Sequence, residues 1–501
     1  MVKKLVLAVL LLSSLLVTVF GVGSIVPVVA SPSMIIRVPD DYQTIQEAVN
    51  AANTGDTIFV SAGTYYEHVR ANKTVSLIGD NSETTIIDGN RTGDALYVTE
   101  NNVKITGFTI QNGGGLGVYL GCGIVLDRCD GSTIYANTVV SNVLGGIWLN
   151  ESSGNMIINN HILNNGGGTL GLMYGEGITL VHSNANIVSN NLISNNVVLG
   201  IDLSLSHDNT VNHNIFTNNS VGVGVSSSAG NIVSDNVIAS NSNGISIDES
   251  IGNTIKRNRI FQNDIGIGIG YSSANVIKEN NITENMIHGI AIAETSTNIT
   301  VVGNTISKNQ NGIKIHYSDG SIIHHNNFIN NTVNVPEDVY PNVNTWDDGY
   351  PSGGNYWSDY NGTDLYNGHG QNITGSDGIG DTSHTLDARN EDRFPLKGPL
   401  NLFDVGAWYG TSYNVYVASN STISDFQLNK TQRTVSFNVA GPDNTLGFCR
   451  VTIPNIIVQD LWQNNYTVLV DGIPQTTNNW TDNTYTYIYF TYLHSQREIV
   501  I

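Results

Sequence analysis

Cleaving or binding a sugar polymer calls for particular side chains in particular places. Hydrolysis needs two carboxylates across the scissile bond, and elimination from an acidic sugar needs a cation or metal beside a base. In this 501-residue sequence the candidates emerge when nine recurring glycines are aligned: Gly123, Gly146, Gly177, Gly200, Gly222, Gly244, Gly266, Gly289 and Gly312. Two residues after each stand Val125, Trp148, Thr179, Asp202, Gly224, Ser246, Gly268, Ala291 and Lys314. Small residues in the middle of that series describe a shallow trough bounded by Trp148 and Asp202, with Tyr174 and Glu176 on an adjoining glycine-rich excursion. An aromatic platform beside carboxylates suits a sugar ring, so Trp148, Tyr174 and Asp202 are the expected carbohydrate contacts. Glu176 and Asp202 are the catalytic candidates if the trough is an active site. No column repeats the acids, or pairs Arg or Lys with Asp, as a lyase-like or esterase-like site would. Asp202, Asp248 and Glu294 sit among many surface acids, and a solvated face is the simpler explanation of each.

Metal chemistry has two candidate places. Asp359, Asp364, Asp377 and Asp381 lie among Gly and Asn, where oxygen donors could surround Ca²⁺. They lack the spacing and terminal Glu of an EF-hand, and turn formation in a capping loop is the simpler reading. Copper would need imidazole or sulfur ligands gathered in one place. The histidines at 161, 182, 207, 213, 288, 316, 324 and 325 occupy different repeat positions, and no Met-rich run exists. Copper is therefore not expected, His324-His325 with His316 being the local cluster to test. No cofactor is required by the residues.

The elements that must position these side chains follow from an internal repeat. Asn recurs with a second Asn five residues on at Asn137, Asn160, Asn191, Asn214, Asn236, Asn258, Asn280, Asn304 and Asn326, spaced 23, 31, 23, 22, 22, 22, 24 and 22. Within a copy, three short apolar pieces are separated by Asn or Gly corners, which predicts three strands per coil and about 22 residues per coil. That period leaves no room for the helix of a leucine-rich or TPR-type unit. Stacked coils about 4.8 Å apart satisfy each other's backbone groups and bury columns of Ile and Val. Corner Asn side chains then form a structural ladder, the Asn itself adopting left-handed angles. The spacing of 31 and the stretch from Gly113 to Gly121 mark insertions on one flank, predicted to wall a groove.

A solenoid exposes its core at both ends unless capped. Thr44 and Glu47 form a capping-box pair before Ile45, Ala48, Val49 and Ala52, predicting a helix that plugs the start. The array is expected over residues 31–343, an Asp/Gly/aromatic closing segment over 344–400, and an antiparallel β-sandwich over 401–501, where short alternating runs are separated by turn residues. Lys3 and Lys4, the apolar run Leu5 to Phe20 and small residues near Ala30 read as an export signal over residues 1–30. An uncleaved anchor is the alternative, and no other run is long and apolar enough to span a bilayer. The expected location is therefore extracellular or at the cell surface. Thirteen Asn-x-Ser/Thr sequons are plausible glycosylation sites. With three cysteines no disulfide framework is expected, and a Cys122–Cys129 bridge is left open. A net charge of −21 without a basic cluster excludes nucleic acid as a partner.

At the start, Val38-Pro-Asp-Asp-Tyr-Gln-Thr-Ile-Gln-Glu-Ala-Val49, Gly55-Asp-Thr-Ile58, Ala62-Gly-Thr-Tyr-Tyr-Glu67 and Leu77-Ile-Gly79 resemble the opening of NosD-like β-helix surface proteins. Asn355-Tyr-Trp-Ser-Asp-Tyr360, Asp377-Gly-Ile-Gly-Asp381 and Asp392-Arg-Phe-Pro-Leu396 resemble the end of that family's domain. Together they span roughly residues 35 to 400. Residues 401–501 are similar to the C-terminal β domain of archaeal surface proteins of this kind. The resemblance implies a right-handed parallel β-helix of the carbohydrate-binding and sugar-hydrolase type. Its namesake is a periplasmic accessory to copper-site assembly in nitrous oxide reductase. The expectation drawn from all of this is an exported, non-catalytic protein that binds a polysaccharide or surface glycan. A polysaccharide lyase or glycoside hydrolase is the first alternative, and a periplasmic-type copper accessory the second. The oligomeric state is not legible.

Overall fold

In a helix of three-residue strands, whether the coils stack depends on what happens at the corners. The computed structural model describes residues 33–115, 121–167, 175–338, 340 and 342–501. The export signal expected over residues 1–30, Tyr174 and the cores of both glycine-rich excursions, with the groove wall they were to build, lie outside these. The folded unit spans Ile35–Ile501.

Three parallel sheets wind together. The first has 13 strands from Ile35–Val38 to Ile322–His324, and the second has 13 from Gly63–Tyr66 to Tyr356–Trp357. The third, of 11 strands from Val69–Ala71 to Asn311–Ile315, carries the long six-residue strands. One coil runs Thr254–Lys256, Arg259–Phe261, Ile265–Gly270. Its inward residues Ile255, Ile260, Ile267 and Ile269 are buried and stack on their counterparts above and below.

The Asn residues stand in single file. Each donates its Nδ2 to the Oδ1 of the Asn one coil on, from Asn137 to Asn160 (3.2 Å) through Asn236 to Asn258 (3.0 Å) and Asn304 to Asn326 (2.9 Å). The same Oδ1 takes the backbone N–H of the preceding Asn, and Nδ2 also reaches a strand carbonyl one coil back. Every polar atom of the amide is thus used, which is what permits its burial. One expectation is corrected: the Asn is not the left-handed residue. The residue before it is, Arg257 at φ 52° before Asn258 and Asp235 at φ 59° before Asn236. The bend and the ladder are separate jobs on adjacent residues.

The second Asn of each pair forms its own ladder, from Asn142 to Asn165 and Asn196 onward, and two further files were not anticipated. Asn155, Asn186, Asn209, Asn231, Asn253 and Asn275 form a third amide ladder, and Ser152, Ser183, Ser206, Ser228, Ser250 and Ser272 a hydroxyl file beside it. Ile299 takes the next place in the third ladder and ends it. The aligned glycines form a file of their own on the inner edge of the long strands. A Cβ on Gly200 would lie 2.6 Å from the Gly222 carbonyl oxygen and 2.8 Å from Phe216.

Helix α1 (Ile45–Ala51) closes the start, with the reciprocal Thr44/Glu47 capping bonds in place and Ile45, Ala48 and Val49 buried. At the far end the closing segment continues the files. Asn326 donates to Asn355, and the Asn355 N–H and the Trp357 indole both donate to the buried carboxylate of Asp392. Trp357 stacks on Phe328 with centroids 4.2 Å apart, so aromatic rings cover the last coil. Two five-stranded antiparallel sheets follow, and their inner faces share one core that includes Val417, Val451, Phe437 and Ile499. Helix α2 (Asn455–Trp462), not expected from the sequence, packs Ile457, Val458 and Leu461 onto that core. The three cysteines are free and buried, so Cys122 and Cys129 are not bridged. No helix among the described residues is long and apolar enough to cross a membrane.

Candidate functional site

The long strands of the third sheet alternate strictly, as Ile147 and Leu149 point into the core while Trp148 and Asn150 face out. Strand register then builds the outer face. Arg70, Tyr97, Val125, Trp148, Thr179, Asp202, Gly224, Ser246, Gly268, Ala291 and Lys314 follow one another rung by rung. The series from Val125 onward is the one the glycine alignment gives. Two residues on runs a parallel file, Asp127, Asn150, Val181, Ser204, Ser226, Asp248 and Gly270.

At the N-terminal end of this face Tyr97, Val125, Asp127, Arg128, Trp148, Asn150 and Val181 line a groove of about 450 Å³. Its polar floor is organised around Asp127, which accepts from the Tyr97 hydroxyl (2.7 Å), Asn150 Nδ2 (2.9 Å) and Arg128 Nη2 (3.0 Å). Burial alone would raise its pKa, but these three donors outweigh it and hold Asp127 below the usual carboxylate range. Burial and the Asp127 carboxylate push the Tyr97 phenol up to about 12. The Arg70 guanidinium lies 5.1 Å from the Tyr97 ring centre. Tyr97, Arg70 and Asp127 were not among the sequence candidates: the coils of Arg70 and Tyr97 carry no glycine mark, and Asp127, on the strand marked by Gly123, stands two residues beyond the aligned column.

Asp202 stands two rungs beyond Trp148, with Thr179 between them. Burial, with the charge of Glu176, raises its pKa to about 7. Its cover is partly Leu199, which occupies the space a Gly224 side chain would take: a Cβ there would lie 2.4 Å from Leu199 Cδ2 and 3.6 Å from Asp202 Oδ1. Glu176 opens the neighbouring strand, accepts from the Gly175 N–H at 3.0 Å and is raised by burial. The structure thus brings Trp148, Asp202 and Glu176 onto one face.

The acidic closing motif is arranged differently. Asp364 accepts from the N–H groups of Asp377 and Gly378, and Asp377 from that of Ile379. Asp381 accepts from those of Leu365 and Tyr366, and Asp359 from Asn334. Apart from the Asp377 turn, these bonds tie separate stretches of the closing segment and the last coil together, and the four carboxylates form no convergent donor set among the described residues. Burial first, and Asp377 as well, raises Asp364 to about 7. Among the described residues the one convergent set of three or more His, Cys, Asp or Glu donors is His324, His325 and Asp348, with donor atoms within 4.8 Å of one another. Burial lowers both histidines, His325 to about 4. His316, expected with them, instead meets Asp338 at 2.9 Å.

The family described as right handed beta helix region matches residues 53–204 and 94–250 of this chain. The family described as periplasmic copper-binding protein (NosD) matches residues 220–362. No curated protein matches the chain. Among solved structures the chain is similar to an alginate lyase from Paenibacillus sp. str. FPU-7, at 17% identity and TM-score 0.36, covering 60% of this chain and 99% of the lyase. It is similar to the A-module of the Azotobacter vinelandii mannuronan C-5 epimerase AlgE4, at 17% identity and TM-score 0.39, covering 62% and 96%. The periplasmic alginate epimerase AlgG gives 16% identity and TM-score 0.41, covering 62% and 84%.

The copper in the second family's description can be tested against the donors present. Soft sulfur ligands for Cu⁺ are not gathered among the described residues: the cysteines are buried singly, and Met156 and Met286 sit exposed on separate coils. The N,N,O set of His324, His325 and Asp348 suits a divalent ion instead. The stacked three-sheet coils, the closing motifs and the two family matches together make this chain a NosD-like right-handed parallel β-helix protein.

Proposed function

We propose that this is an exported or surface-held β-helix protein that binds a glycan or other surface polymer along the outer face of its long-strand sheet. The observation that carries this reading is the groove in which Tyr97 and Trp148 flank an Asp127 already fixed by three donors. Aromatic rings supply flat apolar area, and a carboxylate, an amide and a guanidinium supply the hydrogen bonds that orient hydroxyl groups. The rings stand two rungs apart along the coil axis, a separation of about 10 Å, so the face presents itself to a chain running along the solenoid. Export and surface location rest on the N-terminal sequence pattern. Asp202 extends the proposed contact surface beyond Trp148.

The test is equilibrium binding of acidic and neutral polysaccharide fragments to the purified chain. Trp148→Ala should weaken the best ligand at least about tenfold, since a fully used aromatic contact contributes about 1.5 kcal/mol or more. Unaltered affinity in both Trp148→Ala and Tyr97→Ala would remove the groove from the reading.

A second reading is favoured by one observation, the pairing of Glu176 with an Asp202 whose pKa sits near 7. A carboxyl group that keeps its proton at neutral pH beside another carboxylate is the acid a polysaccharide lyase or glycoside hydrolase would use. Release of reducing or unsaturated ends, abolished by Asp202→Asn, would replace binding alone with catalysis.

A further inference from the structure

Where the last coil, the closing segment and the sandwich meet, a cavity of about 200 Å³ is lined by His324, His325, Asp348, Ser352, Tyr416 and Arg450 among others. Its two histidines are neighbours in sequence yet face each other. His324 ends a strand pointing outward, and His325 takes the left-handed corner at φ 57°, which swings its ring to the same side. Their Nδ1 atoms are 2.8 Å apart.

The partners of the outer atoms are those a metal site requires. His325 Nε2 lies 3.2 Å from the Ser352 carbonyl oxygen, so its N–H points there and its Nδ1 lone pair is turned toward His324. The Ser352 hydroxyl donates to Asp348 Oδ2 at 2.7 Å, fixing that carboxylate from behind. Metal-bound imidazoles characteristically donate their other N–H to a carbonyl, and ligating carboxylates are themselves hydrogen-bonded. The nearby cation does not compete for the donors, because the Arg450 guanidinium donates to the Pro351 and Asp377 carbonyls.

We propose that His324, His325 and Asp348 bind a borderline divalent cation of the zinc type, which pins the final corner of the solenoid to the closing segment beneath the sandwich. Imidazole and carboxylate donors select such an ion over Ca²⁺, which prefers oxygen alone, and over Cu⁺, which prefers sulfur. Two nitrogens on one tetrahedral ion stand about 3.3 Å apart. The rings therefore open by about half an ångström, replacing the proton now shared between them. A fourth position is left for water or Ser352.

This site does not depend on the glycan groove. The experiment is titration of the chelator-treated full chain with ZnCl2 by calorimetry, with Co²⁺ as a visible-absorbing stand-in. Wild-type protein should take up about one equivalent with a Kd below about 1 µM, raise its thermal midpoint, and give tetrahedral cobalt bands. His324→Gln and Asp348→Asn should each weaken uptake about 100-fold, Ser352→Ala about tenfold, and His316→Gln not at all. Asp348 is exposed, so its variant reports on the site without disturbing the core. No uptake by wild-type protein at about 100 µM zinc, or uptake that survives both His324→Gln and Asp348→Asn, would overturn the assignment.

Discussion

Two carboxylates on the same outer face sit in opposite protonation regimes. Asp127 is held ionised by a phenol, an amide and a guanidinium, whereas Asp202, covered by Leu199 and close to Glu176, keeps its proton up to about pH 7. The Asp202 contribution to stability has a definite sign. The unfolded chain releases this proton near the ordinary value of 3.8 and the folded chain near 7. Between those values the native state binds more protons, so stability falls as pH rises through the window and is level above it. Asp202→Asn removes the penalty. It should therefore stabilise the protein at pH 8, by about 2–4 kcal/mol, and much less at pH 3.5. Denaturant unfolding at the two pH values measures the difference; an equal effect at both would show that Asp202 is solvated after all. The same signature bears on function, since a carboxylic acid neutral at pH 7 can donate to a sugar oxygen and an ionised one cannot.

The corner ladders are the elements that hold these side chains in register, and the cost of disrupting them follows from their bonds. Replacing Asn236 by Leu removes the acceptor for the N–H and Nδ2 of Asn214, the side-chain donor to Asn258 Oδ1 (the backbone N–H donor to that oxygen stays), and the donor to the Val211 carbonyl. Several buried groups are orphaned at about 1–3 kcal/mol each, partly relieved by relaxation, so a loss of about 4 kcal/mol is expected. Asn281→Thr, at an exposed outward position, should change stability by less than about 0.5 kcal/mol. Guanidinium unfolding midpoints of the two variants make the comparison, and near-equal values would mean the amides are not load-sharing. How legible these elements were depended on how evenly they repeat. Nine Asn positions, the coil period and the outward column from Val125 to Lys314 could be read because one spacing recurs. The third Asn file shares that spacing and each member stands five residues before one of the nine, as Asn253 does before Asn258, so it was legible in the same repeat; the Ser file, three residues earlier still, carries no Asn to mark it. Arg70 and Tyr97 were hidden for a different reason: in their coils the glycine that marks a long strand is missing, and only paired register places them above Val125. Helix α2 was hidden by composition. Its β-branched Ile456, Ile457 and Val458 read as strand, and burial of one face against the sandwich core overrides that preference.

At the scale of the whole molecule the question is whether solenoid and sandwich unfold together. Contacts between them are few but specific. Asn327, in the second sheet, exchanges two side-chain bonds with the backbone of Leu400, and Asn478 reaches the Ser376 carbonyl. Arg450 does most. It is 2% exposed, stands on a central sandwich strand between the rings of Tyr487 and Trp480, and sends its guanidinium into the closing segment, to the carbonyls of Asp377 and Pro351. No carboxylate among the described residues pairs with it directly, so its charge is supported by oriented carbonyl dipoles and by stacking. Arg450→Met keeps much of the side-chain volume and the sheet position but deletes both bonds and leaves two buried carbonyls without donors. Charge-assisted bonds contribute about 1.5–3 kcal/mol each, so the coupling lost is comparable to that total. The wild-type chain should then melt in one calorimetric transition and Arg450→Met in two, with the sandwich and the solenoid separating. The groove at Tyr97 and Trp148 lies at the opposite end of the coils, where each turn contacts only its neighbours, so glycan affinity should be unchanged in this variant. A single transition in Arg450→Met, or affinity lost together with the coupling, would mean that the two ends communicate through the stack.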